Sequence, residues 1–364
     1  MPTDLLVNLA YCLPQPTGTT TYALNLLPYL TALQPCYLSP YPLADLPSHL
    51  QQPVPHDMTA ARGLQGHLKR LWWTQTQLPQ LFRQSQASLL FSPLPEAPLG
   101  QGIPYVVTVH DLIPLRCFRP WAPLRLYCRY YLPQILAQAR HIICNSTATA
   151  NDLMRFFQVP AQRLSAIPLA HDTNRFRWLN LEPQNYFLCL GRCAPYKNWG
   201  RVVAAFAQLP RHRNYELWLV GPYDARHTPR LQAQAQALGV GHRVRVLNYL
   251  SEGELVQALN RALALVFPSL WEGFGLPILE AMACGTAVIT SNLASMPEVA
   301  GEAALLVDPY RVEAIAQAME RIGSEPGLRS QLQRAGFERA KHFSPQRTGE
   351  ATVAVLSQAM AQGS

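Results

Sequence analysis

Hydrophobic residues occur along this chain in short, nearly continuous runs that alternate with longer amphipathic segments. Such runs are typical of strands that are buried on both faces of a parallel sheet. The pattern predicts two series of six strands. The first comprises residues 5–10, 36–39, 88–91, 105–110, 141–145 and 164–167, and the second comprises residues 186–190, 216–220, 244–249, 264–268, 287–290 and 303–307.

The segments between these runs carry helix signals. Residues 124–139 repeat apolar side chains with a helical period, and Ser251 with Glu254 has the spacing of a capping box. A last helix is predicted over residues 345–361. Regular alternation of strands and helices predicts an α/β fold with two doubly wound, Rossmann-like domains.

The polar stretch at residues 171–183 has no clear period and separates the two series of strands. We predict an amino-terminal Rossmann-like domain over residues 1–175 and a second Rossmann-like domain over residues 176–345. A terminal helix over residues 346–364 is expected to return to the first domain. Ligands of such sheets bind beyond the carboxyl ends of the strands, in a cleft when two such domains face each other.

Composition excludes several classes of protein. The 364 residues are 49% hydrophobic and 14% charged, which excludes a disordered chain, and no apolar stretch is long enough to span a membrane. The net charge of +8 is modest and comes without a nucleic-acid motif, so we expect no nucleic-acid partner. The eight cysteines lack zinc-site spacing, and no Lys or Arg precedes Arg62, so we expect reduced thiols and a cytoplasmic protein.

The strand predicted at residues 186–190 ends in the turn Gly191-Arg192-Cys193-Ala194-Pro195-Tyr196-Lys197-Asn198, which leads into an amphipathic segment. A glycine turn before a helix forms an anion site from backbone N–H groups and the helix dipole. Arg192 and Lys197 both reach this point and would hold a diphosphate. The alternative is a pair of exposed cations at a surface turn.

The segment from position 267 to position 285 contains two glutamates separated by seven residues. Glu272 lies in a glycine loop, and Glu280 lies about one turn inside a helix that begins near Pro277. Gly273 and Gly275 allow backbone N–H groups to approach a ligand closely. Carboxylates accept hydrogen bonds from paired hydroxyls, as in a sugar or a ribose. Taken singly, the two glutamates also fit a helix start and a solvated surface.

This segment resembles the Glu-x7-Glu signature of the family-4 retaining glycosyltransferases, also called group 1, which have the GT-B fold. The resemblance continues through residues 287–292, 296–299 and 301–304 and includes the turn at residues 191–198. In the first half, residues 109–115 resemble the stretch after a cleft-lining strand in a mannosyltransferase-like branch.

The resemblance implies a transferase that uses a nucleotide-activated sugar. It also implies that the domain over residues 1–175 lies on the acceptor side and that the domain over residues 176–345 binds the nucleotide sugar. It implies that Glu280 holds the ribose hydroxyls and that Arg192 and Lys197 bind the diphosphate, where they stabilise the charge of the leaving group. His110 would lie by the sugar. Glu272 would contact the donor sugar together with the backbone of Gly273, Phe274, Gly275 and Leu276.

Two features of the sequence bear on the diphosphate. Many relatives carry two adjacent glycines in the loop after the first strand, whereas this chain retains only Gly18, in a position suited to backbone contact with phosphate. No Asp-x-Asp occurs anywhere in the chain. Sugar transferases of the other major fold use that spacing to hold a divalent cation. We therefore expect no metal and no cofactor besides the nucleotide-sugar co-substrate.

Aromatic and basic residues cluster in two segments of the first half, at Lys69, Arg70, Trp72, Trp73 and Arg83, and at Arg116, Arg119, Trp121, Arg125, Tyr127, Arg129 and Tyr130. Aromatic side chains beside arginines suit an anionic membrane surface, which would fit a peripheral protein with a lipid-linked acceptor. The alternative is a core stripe with a solvated basic face.

The sequence thus predicts a retaining, metal-independent hexosyltransferase. The preferred reaction is transfer of mannose from GDP-mannose to a glycan or lipid-linked acceptor in surface polysaccharide or glycolipid synthesis. UDP-glucose or another donor is the alternative within the same fold. A nucleotide-sugar epimerase on the same architecture and a non-catalytic basic binding module are the alternatives in other functional classes.

Overall fold

The computed structural model describes residues 3–14, 18–43 and 46–362, except for the side chain of residue 60. It divides the chain into two compact units. The first unit comprises Met1–Leu169 and Pro345–Ser364, and the second comprises Ala170–Ser344. The predicted boundaries were residues 175/176 and 345/346, so the first of them lies six residues further along the chain than the observed one.

In the described residues, the first unit contains a seven-stranded sheet in the order β3-β2-β1-β4-β5-β6-β7, with parallel pairing throughout. The strands are β1 (Leu5–Asn8), β2 (Pro35–Ser39), β3 (Gln51–Pro53), β4 (Leu89–Ser92), β5 (Tyr105–Val109), β6 (His141–Cys144) and β7 (Leu164–Ala166). The helices are α1 (Gly18–Leu30), α2 (Gly63–Thr76), α3 (Leu78–Ser85), α4 (Ile113–Cys117), α5 (Pro123–Leu126), α6 (Leu132–Gln138) and α7 (Thr147–Phe157).

The second unit contains a six-stranded parallel sheet in the order β10-β9-β8-β11-β12-β13. The strands are β8 (Tyr186–Leu190), β9 (Glu216–Val220), β10 (Val244–Leu247), β11 (Ala264–Phe267), β12 (Ala287–Ser291) and β13 (Leu305–Val307). The helices are α8 (Trp199–Ala207), α9 (Thr228–Ala237), α10 (Glu252–Arg261), α11 (Leu276–Ala283), α12 (Met296–Ala300), α13 (Val312–Ser324) and α14 (Pro326–Lys341). Both sheets have the Rossmann strand order, so the predicted fold class is confirmed.

Every predicted strand overlaps a strand of the structure, and the sequence missed β3. The central strands β4, β5, β8 and β11 are buried along their whole length, which is why their apolar runs are continuous. β3 is a three-residue edge strand of partly exposed, polar residues. An edge strand faces the core on few positions and leaves a weak hydrophobic pattern.

The helix predicted over residues 124–139 is interrupted. α5 and α6 are joined by one turn of π-helix at Tyr127–Tyr131, in which the Leu132 N–H donates to the Tyr127 carbonyl. Pro133 has no N–H, and its ring would clash with the carbonyl four residues earlier in a regular α-helix. The wider turn before the proline accommodates this constraint.

The terminal helix α15 (Pro345–Ala361) belongs to the first unit. Gly349 packs directly on Tyr29 of α1, where a Cβ would lie 2.2 Å from the ring. Arg140 Nη1 donates to the Ala359 carbonyl at 2.9 Å. The predicted capping box at the start of α10 is present, with Ser251 Oγ accepting from the Glu254 N–H.

Candidate active site

Glycine at position 191 allows Lys197 to lie across the turn that follows β8. Gly191 has a φ of +125°, and a Cβ at this position would lie 3.2 Å from Cε of Lys197. A larger residue would strain the backbone and push the ammonium away. The turn therefore holds Lys197 beyond the carboxyl end of β8, directly before α8.

Lys197 forms an ion pair with Glu272, which lies in the loop after β11. The Lys197 Nζ is 2.7 Å from Glu272 Oε1, and each side chain is 11% exposed. The same ammonium lies 4.5 Å from the centre of the Phe267 ring. Glu272 Oε1 accepts no aligned hydrogen bond from the described residues, so the contact is an ion pair rather than an aligned hydrogen bond. An ammonium has three N–H donors, so Lys197 can contact this carboxylate and an anion together.

Further hydrogen bonds tie the turn after β8 to the loop after β11. The Leu270 N–H donates to the Tyr196 carbonyl at 2.7 Å. Asn198, at a φ of +64°, donates from Nδ2 to the carbonyls of Pro268 at 3.1 Å and Pro309 at 2.7 Å. The Lys197–Glu272 pair is therefore built on a rigid frame and not on two independent loops.

The buried side chain of Ser295 contacts the backbone of the glycine loop at residues 272–275. Its hydroxyl is fully buried and lies 3.0 Å from the Glu272 carbonyl and 2.7 Å from the Phe274 carbonyl. Gly275, at a φ of +111°, then leads into α11. Sequence reasoning did not find Ser295, because a serine more than 20 positions from the loop carries no local signal of this contact.

Glu280 lies in α11, one turn from its start, and is half-buried. Burial raises its pKa to about 7, against the opposing effect of Arg175 and with a smaller rise from Asp172. Arg175 pairs with Glu252, with Nη1 3.0 Å from Oε1, and its Nε is buried without a partner among the described residues. Both Arg175 and Asp172 lie in the segment that the sequence indicated only as a domain boundary.

His110 follows β5 in the first unit and is half-buried. Its Nε2 lies 2.8 Å from the Pro93 carbonyl, and its ring meets Tyr22 edge-on with the ring centres 5.0 Å apart. A carbonyl can only accept, so Nε2 carries the proton and Nδ1 is left as an acceptor. Burial lowers the pKa of His110 to about 4, although the bond to Pro93 opposes this shift.

Of the remaining predicted site residues, Gly273 and Phe274 are buried in the glycine loop, whereas Arg192 and Gly18 are exposed. Arg192 is exposed at the turn after β8. Gly18 is the first residue of α1, exposed, with open space where a Cβ would be. Residues 15–17 of the preceding loop lie outside the described residues. The structure thus brings Lys197 and Glu272 into direct contact in the second unit, while His110 and Gly18 belong to the first unit.

Two family models and one relative identify the chain. Residues 16–175 match the model described as Glycosyltransferase Family 4, and residues 171–339 match the model described as Glycosyl transferases group 1. The MMP alpha-(1->4)-mannosyltransferase of Mycolicibacterium hassiacum is 32% identical over 278 residues, which are 72% of this chain and 67% of that protein. The chain belongs to the group 1, family 4 glycosyltransferases.

Other proteins support the same family and fold. The O-antigen chain mannosyltransferase B of Escherichia coli is 31% identical to this glycosyltransferase over 66% of each chain. The chain therefore spans about two thirds of the length of both relatives. Sucrose-phosphate synthase of Thermosynechococcus elongatus superposes with a TM-score of 0.77 at 20% identity, covering 99% of this chain and 100% of that chain. Anabaena HepE, in complex with UDP and glucose, superposes with a TM-score of 0.73 at 18% identity, covering 98% and 100%. These likenesses show the GT-B fold.

The structure corrects the predicted basic and aromatic surface of this glycosyltransferase. Arg70 and Trp73 are buried in the core of the first unit and cannot meet a membrane. Arg116 pairs with Asp152, and Arg125 donates to the Phe118 carbonyl at 2.6 Å. The reason is that α2 turns one face inward, which a count of basic residues does not reveal. The members of the two segments that remain exposed include Trp72, Arg119, Trp121, Arg129 and Tyr130.

Within the described ranges, no group of three or more His, Cys, Asp or Glu side chains is arranged to hold a metal ion. Over those ranges, no helix combines the length and the apolar character needed to cross a membrane.

Proposed function

We propose that this glycosyltransferase is a retaining hexosyltransferase that transfers mannose from GDP-mannose to a glycan or lipid-linked acceptor in surface polysaccharide or glycolipid synthesis. The observation that carries the proposal is the Lys197–Glu272 ion pair, held by hydrogen-bonded loops at the carboxyl ends of β8 and β11. A fixed cation beside a carboxylate suits a ligand that joins a diphosphate to a sugar. The names of both mannosyltransferase relatives favour mannose.

In this proposal Arg192 and Lys197 stabilise the negative charge that develops on the diphosphate as the glycosidic bond breaks. Electrostatic stabilisation of this kind is usually the largest single contribution to catalysis. Lys197 is already oriented by Glu272 and the Phe267 ring, so little reorganisation is needed when the donor binds. Arg192 is exposed and would become ordered on the diphosphate. Gly18, at the start of α1 in the first unit, is proposed to contact phosphate through its backbone.

Glu272 would bind the donor sugar together with backbone N–H groups of the glycine loop, at Gly273, Phe274, Gly275 and Leu276. Ser295 supports this role because its single hydroxyl proton is within reach of two loop carbonyls, those of Glu272 and Phe274, and so helps to orient the intervening N–H groups. Glu280 would accept two hydrogen bonds from the ribose hydroxyls. We assign His110 to a sugar hydroxyl, which would donate to Nδ1. With a pKa near 4, His110 is neutral at pH 7 and acts as a hydrogen-bond acceptor.

Retention of configuration follows from the same assignment. An inverting transferase needs a general base positioned to deprotonate the incoming hydroxyl. Glu272 and Glu280 are committed to the sugar and the ribose, and His110 is assigned to the donor. The departing phosphate would instead take the proton of the acceptor hydroxyl on the face that it leaves.

The test of the proposal is a donor panel with GDP-mannose, UDP-glucose and ADP-glucose, assayed with and without extracts that contain acceptors. We expect GDP-mannose to be consumed only when acceptor is present, and the product to carry the donor's anomeric configuration in its NMR coupling constants. An inverted product would overturn the mechanism. Consumption of a nucleotide sugar without acceptor would instead indicate an epimerase.

UDP-glucose is the second candidate donor. It is favoured by one observation, that the structural neighbour HepE was solved with UDP and glucose. A thermal-shift measurement with the same panel of nucleotide sugars separates the two donors. A donor that binds the folded state raises the melting temperature by an amount set by its concentration relative to its dissociation constant.

We expect catalysis to be independent of divalent metal, since cationic side chains would take the part of the metal on the diphosphate. Activity should therefore survive an excess of chelator. A matched control is a metal-dependent sugar transferase assayed in the same buffer, which should lose its activity. Loss of activity on chelation that Mg²⁺ or Mn²⁺ restores would disprove this expectation.

We also propose that the protein is peripheral to an anionic membrane through the exposed residues around α5. Trp121 is 84% exposed, and the guanidinium of Arg129 lies over the Tyr130 ring. Flotation with anionic vesicles should weaken as salt rises, since surface charges are screened beyond about 8 Å at physiological ionic strength. Arg119→Glu with Arg129→Glu should abolish flotation, whereas Arg83→Glu serves as the control. Equal flotation of the double variant and the wild type would remove the membrane role.

A further inference from the structure

An ion pair is buried in the first unit, away from the residues so far assigned to the reaction. Arg70 and Glu96 are each 3% exposed. The guanidinium donates from Nε to Glu96 Oε2 at 2.7 Å and from Nη2 to Oε1 at 2.8 Å. A third bond runs from Nη1 to the Met58 carbonyl at 2.9 Å. The pair is therefore bidentate and well satisfied.

A buried ion pair is weak evidence for a contribution to stability. Removing two charges from water costs about as much as their attraction returns, and an apolar pair of similar volume is often as stable or more stable. Arg70 instead orients its partner, because its planar guanidinium donates two parallel hydrogen bonds to a carboxylate in a defined geometry. This geometry bears on the segment of the chain that carries Glu96.

Glu96 lies in a segment after β4 that has few backbone donors of its own. Within it, the Glu96 N–H donates to the Leu94 carbonyl at 2.8 Å. Positions 93, 95 and 98 are prolines, which have no N–H to donate. Side chains from other elements hold the segment by its carbonyls instead. The donors are His110 Nε2 to Pro93 at 2.8 Å, Tyr127 Oη to Pro95 at 2.6 Å, and Gln75 Nε2 to Ala97 at 3.0 Å. Glu96 is the charged residue of this segment, and its carboxylate accepts two hydrogen bonds from Arg70.

The segment also lies where the strand order of the sheet reverses. β4 pairs with β1 on one side and with β5 on the other, and the chain leaves β1 in the opposite direction across the sheet. Ligands of doubly wound sheets bind at this switch point. His110, directly after β5, takes its tautomer from the Pro93 carbonyl in this segment. A shift of the segment would therefore change which nitrogen of His110 is the acceptor.

We propose that Arg70 and Glu96 are positioning residues for His110: their ion pair fixes the segment whose Pro93 carbonyl keeps the proton on Nε2 and leaves Nδ1 as the acceptor. The inference rests on the proposed function in so far as His110 binds the transferred sugar. Arg70 and Glu96 touch neither donor nor acceptor in this account.

The main test is the double variant Arg70→Met with Glu96→Leu, compared with each single change. Each single variant leaves a buried polar group unpaired and should lower the melting temperature, whereas the double variant should recover it. We expect the recovered protein to keep its donor KM within twofold but to lose about 10- to 100-fold in kcat, since small misplacements of a reacting geometry have effects of this size. If kcat recovers together with the melting temperature and the tautomer of His110 is also unchanged, the pair is only structural and the proposal is wrong.

A readout that does not need activity is the imidazole ¹⁵N spectrum of the full-length protein, with His110 assigned from a His110→Asn variant. The wild type should show the single tautomer protonated at Nε2, and the double variant should show a mixture. An unchanged spectrum would overturn the positioning role. A changed spectrum with an unchanged kcat would support the positional link and remove His110 from the proposed function, so the two failures are distinguishable.

Two further variants complete the test. Arg70→Lys keeps the charge opposite Glu96 but lacks the planar fork, so it should fold and shift both readouts in the same direction as the double variant. Wild-type readouts in Arg70→Lys would contradict the proposal even if the double variant failed to fold. Tyr37→Phe is the control, because it removes a buried hydrogen bond to the Leu27 carbonyl elsewhere in the same unit. It should leave both the tautomer and kcat unchanged.

Discussion

Replacing Lys197 with alanine should reduce turnover by about 30- to 1,000-fold at saturating donor, which corresponds to about 2–4 kcal/mol of lost transition-state stabilisation. The ammonium is the buried cation of the proposed diphosphate site, and water that replaces it would have to reorganise as charge develops. Single-turnover kinetics with a saturating donor measure this effect directly. Wild-type rates in the variant would remove Lys197 from the leaving group.

Because Lys197 is paired with Glu272, we expect Lys197→Ala to affect stability as well as turnover. Without its partner, Glu272 would be a nearly buried carboxylate with an uncompensated charge, so the free energy of unfolding should fall. Lys197→Ala with Glu272→Gln should regain stability while turnover stays low. Arg192→Ala is the matched control at the same turn: Arg192 is exposed, so its loss should lower turnover and leave stability near that of the wild type.

Replacing Glu280 with glutamine should weaken donor binding by about 10- to 150-fold, because hydrogen bonds to a charged group contribute about 1.5–3 kcal/mol. Turnover of the bound donor should change less, since the ribose does not react. Glu272→Gln is the contrasting variant: it should lower turnover more than donor affinity, because the sugar that it contacts distorts in the transition state. Calorimetry gives the affinities, and an unchanged affinity in Glu280→Gln would remove that residue from the nucleotide site.

The raised pKa of Glu280 makes donor binding depend on pH. At pH 7 about half of the carboxyl groups with a pKa of about 7 are protonated, and ribose hydroxyls that donate to the carboxylate favour its ionised form. Binding near pH 7 should therefore release protons, and affinity should rise with pH through 7 and then level off. Calorimetry in buffers of different ionisation enthalpy would detect the release, and Glu280→Gln should abolish it.

The same shift has the opposite consequence for the unligated protein. The folded state holds the Glu280 proton more tightly than the unfolded state, whose pKa is near 4.5. The contribution of this group to stability is therefore complete below pH 4.5 and is lost as pH rises through 7. Glu280→Gln should flatten this part of the stability profile. Ionisation of Glu280 in the nucleotide site thus lowers the stability of the unligated protein, and binding of the donor would remove this cost.

The two-domain α/β fold could be predicted because buried parallel strands are apolar on both faces. β8 and β9 coincide with their predicted ranges, and β8 is apolar and buried at every position. A disturbance of the helix before α6 could have been expected from Pro133. How the helix accommodates the proline, here by a π-turn, depends on how the helix packs. β3 could not be read, because a short edge strand at the rim of the sheet has no hydrophobic period of its own.

At the candidate site, residue types and spacing were sufficient to single out Arg192, Lys197, Glu272 and Glu280, because glycine turns after strands and carboxylates in glycine loops are local patterns. The partners of these residues were not readable. Ser295 under the glycine loop and Arg175 near Glu280 are non-local contacts, and the pKa of Glu280 depends on burial that no single segment encodes. Arg70 was misread as part of a basic surface for the same reason.

Local patterns along the chain were thus enough to indicate two Rossmann-like sheets, since hydrophobic period and turn glycines act over a few positions, and the resemblance of the Glu-x7-Glu segment indicated a group 1 glycosyltransferase. Folding brought Lys197 to Glu272 and buried Arg70 against Glu96, and it set the tautomer of His110 through Pro93. These features depend on contacts between side chains of elements that are distant in the sequence. Such contacts set the burial and the charge pairing of each ionisable group. Burial and charge pairing in turn determine whether the group is charged or neutral and whether it is held in one orientation.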